Sequence, residues 1–107
     1  MLKVEVSRSA DATILTCIGR LVAGEEASSL EAIAVAQQGP QLLLDLSGAD
    51  AIDARGLGVL NAIRQWAASR GIEFAVLNPS DVVRSMMALV KLDVNIAVVD
   101  EARAVAC

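Results

Sequence analysis

Two aspartates, Asp45 and Asp53, flank the most informative stretch of the chain, Asp-Leu-Ser-Gly-Ala-Asp-Ala-Ile-Asp-Ala-Arg-Gly-Leu-Gly at residues 45–58. Paired carboxylates are common acid–base machinery, but the work needs a proton donor and a proton acceptor of matched pKa within reach of one substrate. Nothing here completes such a site. The chain has no histidine and no tyrosine, and no lysine stands in the stretch. Asp45 therefore reads as a loop residue. Asp53 reads as a helix N-cap that accepts from the amide of Arg55 or Gly56, a contact that contributes about 1 kcal/mol. Ser47 reads as a turn residue bonded to nearby backbone. With no nucleophile–base pair to name, no catalytic residue is assigned and the chain reads as a non-enzyme.

Gly56 and Gly58 fall in the first turn and a half of the helix that follows Asp53. Each costs about 1 kcal/mol relative to alanine in a helix interior. Two physical reasons can offset that cost: close packing of the helix on a strand, or a bare backbone surface for a partner or an anion. A dinucleotide fingerprint needs a third glycine where Asn61 stands, and a Walker-type loop needs a Gly-Lys-Ser/Thr that does not follow. Both nucleotide motifs fail.

Composition narrows the classes further. At 107 residues the chain is one domain, residues 1–107. Its residues are 55% hydrophobic and 21% charged, far from the composition of a disordered chain. Nine basic residues against thirteen acidic ones give a net charge of −4, without the clustered cations that nucleic acid requires. Cys17 and Cys107 stand far apart, in neither a zinc nor a disulfide pattern. No metal and no cofactor are expected. No apolar run reaches the roughly 18–20 residues that span a bilayer, and the N-terminus has no targeting pattern. The expectation is a soluble cytoplasmic protein with reduced thiols and no direct membrane insertion.

The elements that position the stretch follow from hydrophobic periodicity. Strands are expected at 2–7, 12–18, 41–46, 72–77 and 95–99. Helices are expected from Gly24 to Gly39-Pro40, over 54–70 with Leu57, Leu60, Ile63 and Ala67 on one face, and after Ser80 with Val83, Met86, Met87 and Val90 on one face. A short fourth helix is expected at 101–106. Ser47–Asp50 reads as a loop. The continuous apolar runs at 41–46 and 72–77 read as strands buried on both faces. The order β-β-α-β-α-β-α-β-α predicts a single-domain α/β fold with a mixed, mostly parallel sheet of four to five strands and about four helices. Cys17 reads as a small core residue, Met86 and Met87 as at least one core methionine, and Trp66 as a core edge or an interface anchor.

Asp45-Leu46-Ser47-Gly48 followed by Ile52-Asp53-Ala54-Arg55-Gly56-Leu57-Gly58 resembles the signature of the STAS domain, the fold of bacterial anti-sigma-factor antagonists and of the cytoplasmic tails of sulfate transporters. The family stretch has two serines where this chain has Ala54 and Arg55. Gly19-Arg20-Leu21, Gly71, Asn78-Pro79-Ser80, Val83 and Leu92-Asp93 extend the resemblance over nearly the whole chain. It implies a bacterial signalling module for transcription regulation that binds an anti-sigma factor or a kinase-like regulator through Asp53, Ala54, Arg55, Gly56, Leu57 and Gly58. In family antagonists the second serine is phosphorylated. Arg55 stands at that position, so the usual switch has no hydroxyl, and the charge of Arg55 is opposite in sign to phosphoserine. Two other readings stay open: an accessory subunit of a lipid-transport ABC complex, and a small anion- or nucleotide-binding sensor. A homodimer also stays open.

Overall fold

In a computed structural model, the described residues are 2–9, 11–22 and 24–100. Five strands and three α-helices alternate along them: β1 (Leu2–Arg8), β2 (Thr13–Leu21), α1 (Glu25–Val35), β3 (Gln41–Ile52), α2 (Ala54–Ser69), β4 (Glu73–Leu77), α3 (Asp81–Leu89) and β5 (Ala97–Val99), with a 3-10 turn at Leu92–Val94 before β5. The mixed α/β sheet has the order β1-β2-β3-β4-β5. β1 and β2 form an antiparallel hairpin, and every later pairing is parallel. The helix expected at 101–106 and Cys107 lie outside the described residues.

Sequential parallel strands joined by right-handed crossovers place all their helices on one side of the sheet. The core agrees. Leu15 and Cys17 of β2, Leu42, Leu44 and Leu46 of β3 and Val76 of β4 share one cluster with Leu30 and Ala34 of α1, Leu60 and Ile63 of α2, and Val83 and Met87 of α3. One-sided cover changes the expected burial of β3. Residues Leu42, Leu44 and Leu46 are buried, whereas Gln41, Leu43 and Asp45 are only half-buried. The leucine run therefore serves one face fully, not two. In β4 the expectation holds for the second half only: Ala75, Val76 and Leu77 are buried, whereas Ile72 and Phe74 are half-buried and Glu73 is exposed.

The second correction concerns Ser47–Asp50. These residues are strand, not loop, because β3 runs on to Ile52 against β2. The register of that pairing slips twice, between Thr16 and Ile18 and again between Gly19 and Arg20. Each slip places an extra residue on β3, which is how a bulged strand absorbs turn-forming residues without ending. Pairing of β3 with β4 stops at Asp45–Leu77. Beyond it, Ser80 takes over the exposed β3 backbone: its amide donates to the Leu46 carbonyl at 3.1 Å and its hydroxyl donates to the Ala49 carbonyl at 2.6 Å.

Helix boundaries follow local chemistry. Gly71, at φ 69°, closes α2. The Gly71 amide donates to Ala68 at 3.3 Å and the Ile72 amide to Ala67 at 2.9 Å, the paired bonds of a Schellman ending. Ser80 caps α3 by accepting from the Val83 amide at 3.4 Å. Leu57, Leu60, Ile63 and Ala67 are buried along α2, as their spacing predicts. In α3, Val83 and Met87 are buried and Met86 packs against the core, but Val90 caps the helix end and is exposed. Trp66 is half-buried against the core edge.

Candidate functional site

The end of β3 delivers the chain to α2 through Asp53. Its extended backbone leaves the side chain free to turn back, and its carboxylate accepts from the Gly56 amide at 2.9 Å. The Asp53 amide donates to the Leu21 carbonyl at 3.4 Å, so the turn is tied to the end of β2 as well. Within the first turn of α2 itself no side chain is acidic, so Arg55 stands against the positive end of the helix dipole, with the capping carboxylate of Asp53 two residues before it.

The six residues of the expected site divide into two sets. Gly56 and Leu57 are buried, and Asp53 is half-buried as the cap. Ala54, Arg55 and Gly58 are exposed. The two glycines have different reasons. A Cβ on Gly56 would collide with the Leu21 carbonyl oxygen and lie 2.8 Å from Cγ1 of Ile52, so Gly56 lets α2 pack on the strand ends. A Cβ on Gly58 would meet nothing within 4 Å. No packing requirement explains glycine there.

The remaining polar residues are structural. Asp45 accepts from both the amide of Ser47, at 2.9 Å, and its hydroxyl, at 2.7 Å, which holds the first β3 bulge. Cys17 is fully buried. Burial first, and the negative charge of Asp45 second, push its thiol up to about 12, which makes it inert near neutral pH. Among the described residues no cluster of three His, Cys, Asp or Glu side chains could hold a metal ion. No described helix is long and apolar enough to cross a membrane.

Sequence reasoning missed the Leu21 carbonyl, the backbone atom that demands Gly56, because the contact joins positions far apart in the chain. It also missed the second task of Ser80. The cap was legible from Asn78-Pro79-Ser80, but the bond to Ala49 depends on where β4 stops.

Residues 3–104 match the family model of the STAS domain. Among solved structures, a Thermotoga maritima protein assigned as an anti-sigma factor antagonist is 25% identical with a TM-score of 0.82, over 91% of this chain and 86% of that one. An anti-sigma factor antagonist from Mycobacterium paratuberculosis is 22% identical with a TM-score of 0.81, over 92% of this chain and 86% of that one. The unphosphorylated antagonist SpoIIAA is 16% identical with a TM-score of 0.76, over 96% of this chain and 93% of that one. A search of curated protein sequences finds no match. With five strands in the expected order and a family model matched along nearly its whole length, the chain belongs to the STAS domain family.

Proposed function

We propose that this chain is a non-enzymatic binding module, an anti-sigma-factor antagonist of a bacterial cytoplasmic partner-switching system. It docks an anti-sigma factor or a kinase-like regulator through the exposed start of α2. Ala54, Arg55 and Gly58 form the contact surface, Asp53 fixes the turn beneath them, and Gly56 and Leu57 hold the helix to the sheet. The observation that carries this reading is Gly58: an exposed glycine inside a 16-residue helix with open space around it. The fold would gain by replacing it, so a use outside the fold is the physical reason for its bare backbone. Arg55 makes no hydrogen bond or ion pair among the described residues, which leaves its charge available to a partner. Since neither Ala54 nor Arg55 carries a hydroxyl, control comes from the concentration of the module or the state of its partner.

Gly58→Lys tests the reading. Lysine is the better helix former by several tenths of a kcal/mol, so the melting temperature should hold or rise. A long charged side chain there should block approach and abolish binding to a purified anti-sigma factor that the unaltered chain binds. A variant that folds and binds normally removes residues 53–58 as the docking surface.

A further inference from the structure

Two arginines stand on α2, and they are held differently. Arg64, in mid-helix, is half-buried and donates from Nε and Nη2 to Oδ1 of Asn61 at 3.2 and 3.0 Å. Arg55, in the first turn, is exposed and makes no hydrogen bond or ion pair among the described residues. The carboxylate nearest to it along the chain, Asp53, is turned to the Gly56 amide. Arg55 thus sets a positive charge at the positive end of a helix, where a neutral or acidic residue would suit the fold better.

Gly58 stands three residues on, and residues three apart are neighbours on one helix face. It too is a residue the fold would replace, since a Cβ there meets only open space. Ala54, also exposed, adds no more than a methyl group. Two choices that cost the helix stability therefore stand side by side. Together they present a long, unpaired guanidinium on a surface without bulk, so a partner can approach the backbone closely and still receive the whole of Arg55.

We infer that Arg55 makes this chain a pseudosubstrate: it enters the phosphoryl-transfer site of a kinase-like partner, in the place of the acceptor hydroxyl, and holds the enzyme instead of being modified. This rests on the antagonist reading, which puts the acceptor of such an enzyme at position 55. The chemistry of phosphoryl transfer singles out a cation. A site that transfers phosphate to a hydroxyl brings together a carboxylate that takes the hydroxyl proton and the terminal phosphate of a nucleotide. Both are anions, and both accept the paired N–H groups of a guanidinium. With no hydroxyl on Ala54 or Arg55, no transfer follows. The charge that the helix disfavours becomes the contact that retains the partner.

A purified kinase-type anti-sigma factor, assayed on a serine-bearing STAS antagonist, tests this. The unaltered chain should inhibit phosphorylation of that substrate competitively and gain no phosphate itself. Arg55→Gln, which keeps the length and loses the charge, should raise the inhibition constant at least about tenfold. Arg55→Lys, which keeps the charge and loses the fork, should fall between the two. Both variants should keep the melting temperature because Arg55 is exposed. Binding measured without nucleotide, with ADP and with a non-hydrolysable ATP analogue then separates the two anions. An Arg55 effect confined to the ATP analogue assigns the terminal phosphate; one that persists without nucleotide assigns the carboxylate. Equal inhibition by Arg55→Gln and the unaltered chain overturns the inference, and loss of binding in Gly58→Lys would still leave the docking surface standing. Binding that needs Arg55 but leaves phosphoryl transfer running also overturns it, because the guanidinium then meets an anion outside the transfer site. If no kinase-type anti-sigma factor of the source organism binds the unaltered chain, the docking reading and the inference fall together.

Discussion

Gly56 lies against the carbonyl oxygen of Leu21, so close that a Cβ at position 56 has no place to go. This contact sets the height of α2 over the ends of β2 and β3, and with it the height of Ala54, Arg55 and Gly58 above the sheet. Two turn-mates of one residue type should therefore respond to one substitution with opposite signs. Gly56→Ala should destabilise the fold by about 1–3 kcal/mol, because the obstacle is backbone and cannot rotate aside. Gly58→Ala should stabilise it by about 0.5–1 kcal/mol. Urea unfolding of the two variants beside the unaltered chain decides the matter; equal effects would break the division of labour.

Ser80 is expected to cost more than an ordinary cap. Ser80→Ala removes the cap of α3 and also leaves the Ala49 carbonyl without its donor. The loss should be about 1–3 kcal/mol by chemical unfolding. Ser80→Thr, which keeps the hydroxyl, should recover most of it. If alanine costs only a few tenths, the bond across to β3 contributes nothing.

Cys17 should be silent to thiol reagents until the protein unfolds. In a Cys107→Ser background, labelling at neutral pH should be slow, with a rate that tracks global opening. The sign of the pH dependence follows from the raised pKa. In the unfolded chain the thiol ionises near 9.0, while in the folded chain it keeps its proton to about 12. Between those values the unfolded state binds fewer protons, so stability falls as pH rises, by up to about 1.4 kcal/mol per pH unit. Below pH 9 the thiol contributes no slope. Cys17→Ala should flatten the decline between pH 9 and 12, and parallel curves for the two proteins would show that the thiol is not buried.

Arg55→Ser should convert the start of α2 into a kinase substrate. Arg55 is exposed in the first helical turn, where a phosphate meets the favourable end of the dipole. A kinase that modifies STAS antagonists should leave residues 54 and 55 of the unaltered chain untouched and phosphorylate the variant at position 55. Phosphopeptide mapping reads both outcomes. An unmodified variant would mean that the surface around position 55 no longer fits such an enzyme.

Local chemistry alone determined most of the architecture. The alternation of Val4 and Val6, the leucine run at 41–46, the helical spacing of Leu57, Leu60, Ile63 and Ala67, and the stops at Gly71 and Ser80 all act over a few residues. They are legible because backbone propensity and side-chain periodicity act locally. The stretch 45–58 likewise announced its cap: Asp53 and Gly56 are three residues apart, and their bond needs no distant partner.

Tertiary structure decided what distance in sequence conceals. Ser47–Asp50 has turn-forming residues, yet pairing with β2 keeps it strand by bulging. Leu43 differs from Leu42 and Leu44 only because three right-handed crossovers cover one face of the sheet. Gly56 and Gly58 are chemically identical and two positions apart. Only the arrival of Leu21, from the far end of another strand, makes glycine a packing requirement at one of them, while a Cβ at the other would meet open space. Long-range contacts of this kind depend on how the strands are ordered in space, which no local pattern of side chains encodes.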